Sequence, residues 1–379
     1  MFREMAGISL MPASPARRLA AVLRILAAAV LCIVTPAACT RENVPSDEGK
    51  FNVSVMLDTR SLNIDEVGSA VIYAFAQAAS GSGYLVGYVY EDHVGESGIF
   101  PMTLTEGGAV DFYVILNPDS NCFDLVDGDG QLVNPGPDPD TSLTPEDLRS
   151  WRIKYSDSAP SDPKKWRMLP MSNLDGTAFG NRRFNIDSRP GWQTIPISVR
   201  RAVSKVEVWF RSNEDTNNNY WAIERMRSGD PVSSCGLFTE TVSHIGQGEN
   251  PKSFKDNTPH SHLNTSFPEN PDLSDYYSEK NFEKIFEYYI LPNTLGGNTA
   301  GEAAEGEVTS SYSYLHTDYA HIQQWDAENH YSKDIFLPAC SRNSCIRIWC
   351  SLNDNMDRSF TYTVVNWDET VTVNIPDFS

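Results

Sequence analysis

The stretch Trp192–Phe210, WQTIPISVRRAVSKVEVWF, decides how this chain is read. Ile195, Ile197, Val199 and Val203 share one parity, so they face one side of an extended strand. From Val206 the parity changes, and Val208 and Phe210 continue the new set. Side-chain direction in a strand repeats every second residue. A one-residue shift therefore means a bulge, or a strand that leaves one sheet and enters another. The shift falls on Arg200–Lys205, RRAVSK, whose charges read as a solvated turn between two strands.

Outward from this centre, the composition favours many short strands. The chain has 379 residues with 16 Tyr, 17 Phe and 8 Trp, and its 23 Pro and 24 Gly are spread along it rather than clustered. Length suggests more than one domain, and turn residues between apolar runs suggest an all-β fold. Toward the N-terminus, FNVSVML alternates with Phe51, Val53, Val55 and Leu57 on one face. Strands are expected near 51–57, 69–76, 84–90, 109–116, 203–211, 283–291, 344–352 and 360–366, with weaker ones at 100–105, 236–243, 334–338 and 370–375. Residues 220–227 fit strand or helix equally, and 246–275 reads as a long surface loop. Both halves read as antiparallel-type strands with two-face alternation. Thr144-Pro145-Glu146-Asp147 carries an N-cap hydroxyl, a first-turn Pro and an acid three residues on, so a short helix is expected from Pro145 to about Trp151.

The first 38 residues read as a leader. Arg17, Arg18 and Arg24 precede the apolar run Ile25–Val34, which is too short to span a bilayer. Thr35-Pro36-Ala37-Ala38 then leads into Cys39. Small residues before a Cys are similar to a bacterial lipobox, in which that Cys becomes the lipid-bearing N-terminus, although Pro36 stands where Leu is usual. The alternative is an ordinary secretory leader. Removal of residues 1–38 leaves 26 basic and 49 acidic side chains, net −23. Such a charge argues against nucleic-acid binding, which needs basic patches to meet phosphates. Beyond Cys32 and Cys39, five Cys remain, an odd number. Cys345 and Cys350 would face opposite sides of one strand, so buried thiols are expected rather than a disulfide scaffold.

No stretch nominates chemistry. There is no G-x-S-x-G, H-E-x-x-H, P-loop or G-x-G-x-x-G, so no enzyme activity and no cofactor are implied. Asp127-Gly-Asp129-Gly begins like a calcium loop, but Gln131 stands at the third ligand position and Asp138 at the closing Glu. An acidic turn is the better reading. His260-x-His262 could ligate a metal on a strand, yet it sits between polar segments and reads as solvated loop. His316 and His321 flank Asp318 at a spacing that suits neither one helix face nor one strand face. Trp166, Trp192, Trp221 and Trp325 could stack on sugars, but the core is their default place.

Several of these stretches together resemble the fimbrillin family, the subunits of type V pili of Bacteroidales-type bacteria. The strand–RRAVSK–strand centre resembles the start of that family's second domain, and Leu169-Pro170-Met171-Ser172 the short segment ahead of it. Gly107, Gly108, Phe112, Tyr113, Val114, Asn117 and Pro118 are similar to its "Gly-Gly … Asn-Pro" strand. Glu287-Tyr288-Tyr289 closed by Pro292-Asn293, and Arg342-Asn343 with the late Trp367, echo its C-terminal half. The resemblance spans residues 50–379. It implies two transthyretin-like β-sandwich domains, 39–195 and 196–379, with short helical turns in loops, and a structural or adhesive role in a fimbrium on the outer membrane. It also implies assembly by strand exchange: an Arg-specific protease cuts after the first strand, and a neighbour's strand fills the groove. Arg60–Ser61 would be the cut, with Phe51, Val53, Val55 and Leu57 on the removed strand and Cys39 carrying the anchor. Other pilus subunits, the membrane, and a host or bacterial surface ligand would be the partners. A surface glycan-binding lipoprotein of a polysaccharide-uptake system is the alternative; it shares the leader, the sandwiches and the acidity.

Overall fold

Why Trp192–Phe210 changes parity is plain in the computed structural model, which describes residues 50–58, 67–77, 81, 83–95, 97–174, 182–188, 191–212, 219–246, 249–260, 281–295, 312–323, 326–352 and 359–367. Within this stretch the chain joins three sheets in turn. The strands before and within it are β1 (Phe51–Asp58), β2 (Ala70–Gln77), β3 (Gly83–Glu91), β4 (Ile99–Leu104), β5 (Gly108–Leu116), β6 (Phe123–Val126), β7 (Arg152–Tyr155), β8 (Met171–Ser172), β9 (Arg183–Ile186), β10 (Gln193–Ser198), β11 (Arg200–Arg201) and β12 (Ser204–Ser212). After it come β13 (Asn219–Gly229), β14 (Val232–Gly236), β15 (Val242–His244), β16 (Lys255–Asp256), β17 (Glu283–Ile290), β18 (Tyr314–Gln323), β19 (Asp326–Phe336), β20 (Ser344–Leu352) and β21 (Ser359–Asn366). The fold is all-β.

Two sandwiches account for most of these strands. In the first, the sheet β10-β1-β4 faces the sheet β11-β8-β5-β2-β3, with β9 paired to β5. Val53, Val55, Phe100, Met102, Ile195 and Ile197 from one sheet meet Ile72, Ala74, Phe112 and Val114 from the other in one core. The opposite face of the second sheet is buried as well: Val71, Tyr73, Phe75, Tyr113 and Ile115 belong to a second core. Burial on both faces explains why β2 and β5 read as near-continuous apolar runs rather than alternating ones. In the second sandwich, β17-β12-β20-β21 faces β16-β13-β18-β19. Val206, Val208, Phe210, Ile346 and Ile348 pack there with Trp221, Ile223, Leu315 and Tyr319. A fifth sheet, β15-β14-β7-β6, takes strands from both sides of residue 195.

The parity change is therefore a change of sheet. Ile195, Ile197 and Val199 lie in the first core, whereas Ala202, Val203 and Val206 lie in the second. RRAVSK is not a solvated turn: Arg201, Ala202, Val203 and Ser204 are all buried. Its backbone is held from two directions. Ala202 N–H donates to the Pro170 carbonyl at 2.8 Å, and Ser204 Oγ to the Ser341 carbonyl at 2.7 Å. The Arg201 guanidinium lies over the Trp367 ring at 4.4 Å, with the Lys205 ammonium over the same ring at 4.8 Å.

The expected short helix is α1 (Pro145–Ser150), closed by a reciprocal capping box between Thr144 and Asp147. Other expectations need correction. Residues 236–243 are not one strand: β14 ends at Gly236, a turn follows, and Gly236 N–H donates to the Thr241 carbonyl at 2.8 Å. The ambiguous 220–227 is strand. The reading of 246–275 as surface loop fails over its described part, where Phe254 is 2% exposed and β16 pairs with β13. The pairing is also not purely antiparallel: β1 runs parallel to β10, and β12 parallel to β20. Residues 370–375 lie outside the described residues.

Candidate functional site

The first strand lies inside its sheet, between β10 and β4. β1 is the middle strand of its sheet, parallel to β10 with Val53 opposite Gln193 and Val55 opposite Ile195, and antiparallel to β4 with Val53 opposite Met102 and Val55 opposite Phe100. β1 is thus not an edge strand: both of its edges carry ladder hydrogen bonds. Alternation does the rest. Val53 and Val55 are fully buried and Leu57 nearly so, while Asn52 and Met56 face outward. Full burial of three such side chains is worth about 1.5–3 kcal/mol each.

Phe51 is half-buried, and Gly107 makes its seat. A Cβ on Gly107 would come within 2.6 Å of the Phe51 ring and 2.9 Å of the Ile186 carbonyl. Gly108 beside it holds φ +86°, a conformation open chiefly to glycine. The Gly-Gly pair thus has two separate jobs, a close approach and a turn. At the far end of β5, Asn117 adopts φ 54°. Its side chain accepts from Gly68 N–H at 2.8 Å and donates to the Leu169 carbonyl at 2.9 Å. Arg60, Ser61 and Cys39 lie outside the described residues.

The remaining sequence candidates disperse. Asp127 Oδ1 accepts from the backbone N–H of Asp129 and of Gln131, both at 2.9 Å, so the carboxylate closes its own turn. His260 is not solvated loop: its backbone pairs with Ile223, and Nε2 meets Asp256 Oδ2 at 3.0 Å. Burial alone would push Asp256 up, but hydrogen bonds from Thr258 and His260 outweigh it and hold the carboxyl low. His316 contacts Asp334 at 2.6 Å and Asp318 at 3.1 Å, whereas His321 stacks on Trp221 at 4.7 Å. Among the described residues no group of His, Cys, Asp or Glu is arranged to hold a metal. Trp166 and Trp221 are core residues, Trp192 is 58% exposed, and His262 and Trp325 lie outside the described residues. Cys122, Cys235, Cys340, Cys345 and Cys350 are free and buried, and burial pushes every thiol above its ordinary value.

Sequence reasoning named Arg342 only as part of a resemblance and missed its burial and its role. Arg342 donates to the carbonyls of Leu237 at 2.8 Å, Arg200 at 2.9 Å and Arg201 at 3.2 Å, and to Ser172 Oγ at 3.0 Å. Burial pushes its guanidinium down to about 10, so it stays charged at neutral pH. It ties β8, β11 and the turn after β14 together. The nearby segment 170–173 completes this seam: Asn173 Oδ1 accepts from Val114 N–H at 2.8 Å, and its Nδ2 donates to the Phe112 carbonyl at 2.9 Å.

No protein-family profile matches the chain, and no curated protein matches its sequence. Solved structures do. A fimbrial protein from Bacteroides vulgatus is 9% identical, with a TM-score of 0.48 over 84% of this chain and 99% of that one. The tip fimbrial protein Mfa3 from Porphyromonas gingivalis is 12% identical, with a TM-score of 0.40 over 84% and 99%. A Bacteroides thetaiotaomicron structure described as a proposed polysaccharide-binding protein is 12% identical, with a TM-score of 0.41 over 84% and 96%.

Proposed function

We propose that this chain is a structural and adhesive subunit of a fimbrillin-like surface pilus, built from two sandwich domains that meet between β11 and β12. Lipid on Cys39 would anchor it to the outer membrane, and β1 would be exchanged for a neighbour's strand. The carrying observation is the place of β1: the middle of a sheet, buried side chains at every second residue, and a chain that continues toward Arg60. Loss of such a strand leaves two rows of unpaired backbone groups above apolar pockets, and an incoming strand with the same alternation restores both. The sequence resemblance supplies the rest of the reading.

Arg60→Ala tests it. The unmutated chain is expected to assemble into fibres after an Arg-specific protease releases residues 39–60, and the variant to remain monomeric with its strand attached. Fibres of the variant that still contain β1, seen by electron microscopy and N-terminal sequencing, would overturn the mechanism.

A further inference from the structure

A cluster of cations on the outward face of the β16-β13-β18-β19 sheet is arranged against the interest of the fold. Arg227 of β13 and Lys255 of β16 stand directly opposite each other. Like charges in register weaken strand pairing. Acids are not scarce, since the chain has 50 acidic against 30 basic side chains. Yet the carboxylates nearby are engaged elsewhere. Asp318 holds Arg225 at 2.6 Å and His316 at 3.1 Å, Asp334 holds His316 at 2.6 Å, and Asp256 holds His260 at 3.0 Å. Among the described residues, Arg227 and Lys255 meet none.

These cations line a cleft of 320 Å³ together with Arg225, Asn257 and His316. Arg225 and Asn257 also line a wider trough of 820 Å³, which adds Glu224, Asp318, His330, Tyr331 and Ser332; Asp318 there is paired with Arg225, and Glu224 with His330 at 3.0 Å. We infer that the combined cleft binds an acidic saccharide, with its carboxylate between Arg227 and Lys255 and its hydroxyls on Glu224, Asn257 and Ser332. A guanidinium fork with an ammonium beside it matches a carboxylate in geometry and charge. Carboxylate, amide and hydroxyl side chains supply the mixed acceptors and donors that ring hydroxyls need. The Tyr331 ring is turned to the core, stacked on Tyr319 at 5.5 Å, so the trough offers its ligand polar side chains rather than a ring face. Among the described residues no aliphatic side chain lines either part of the cleft. An acidic peptide would therefore find no anchor pocket of the kind that carries protein recognition. The inference does not depend on strand exchange, because the cleft lies in the other sandwich.

The test is calorimetric titration of the purified chain with digalacturonate, with neutral digalactose and inorganic sulfate as comparisons. Digalacturonate is expected to bind with Kd of about 1 mM or tighter, and to weaken as salt is raised. Arg227→Ala should weaken it about tenfold, and the Arg227→Ala/Lys255→Ala pair should abolish it. Asn257→Ala should weaken the saccharide and leave sulfate unchanged. Both cations are exposed, so the variants should fold, and Lys255→Ala should melt no lower than the parent because it relieves a like-charge pair. Equal binding of digalactose, sulfate bound as tightly as the saccharide, or indifference to both substitutions would each overturn the assignment. So would an absence of saccharide binding alongside Arg227-dependent self-association, which would make this face a contact between copies of the chain.

Discussion

Gly107 carries a single-residue constraint on the first strand. Any side chain there meets the Phe51 ring on one side and a backbone carbonyl on the other. Gly107→Ala is expected to destabilise by about 1–3 kcal/mol in urea unfolding. Adding Phe51→Ala should recover part of that loss, because the double variant removes the clash, and a coupling energy near zero would show that the two do not touch in solution. Asp230 offers a different test. It is fully buried, accepts from Ser313 Oγ at 3.0 Å and Leu291 N–H at 3.1 Å, and is hydrogen-bonded by the Tyr155 hydroxyl. Burial pushes its carboxyl up to about 6, although every hydrogen bond pulls the other way. A carboxyl raised in the folded state above its unfolded value near 3.8 favours folding below that value. The contribution is lost as pH rises through about 6. Stability measured as parent minus Asp230→Asn should therefore fall between pH 4 and pH 7, by up to about 3 kcal/mol. A flat difference would mean that Asp230 is ionised throughout. Of these two sites only Gly107 was legible in the sequence, as part of the Gly-Gly … Asn-Pro strand. Nothing in the sequence singles out Asp230, since its hydroxyl donors, Tyr155 and Ser313, stand 75 and 83 residues away.

At the scale of elements, the seam between the sandwiches is made of short pieces. β8 and β11 each contain two residues, and neither has enough ladder bonds to stand alone. Arg342 compensates by reaching both of them and the Leu237 carbonyl from one guanidinium. Arg342→Lys keeps the charge but cannot reproduce the planar fork, which leaves buried carbonyls unpaired. It is expected to lower unfolding stability by about 3 kcal/mol or more. A loss under about 1 kcal/mol would mean that water replaces the fork. The long strands were readable because their residues alternate or run apolar: β1, β2, β5, β12, β20 and β21 fall within a residue or two of expectation. β18 was not, because Tyr314, His316 and Asp318 on its outer face interrupt any apolar run and Thr317 occupies an inner position. β6, β7 and β8 were too short for periodicity to register. RRAVSK misled for a related reason. Its charges point to solvent on paper, while Trp367, some 160 residues later, supplies the surface that covers them.

For the whole molecule, one apolar core runs from Val71 of the first sandwich to Leu352 of the second, and a shared sheet crosses between them. Domains joined by so much buried apolar surface are expected to lose their structure together. Tryptophan fluorescence and far-ultraviolet circular dichroism should then report one coincident unfolding transition. Two separated transitions would show that the sandwiches are independently stable. The place of β1 bears on time rather than on stability alone. A marginal strand can be shed and leave a smaller sheet behind it. When a middle strand goes, β4 and β10 are left as single ribbons, each with an open edge, above a core whose side chains have lost their cover. A chain in that state cannot be made early and stored, because any passing edge will capture it. If β1 is exchanged as proposed, cutting and filling would therefore have to follow each other within the lifetime of one encounter, at the place where the next strand already waits.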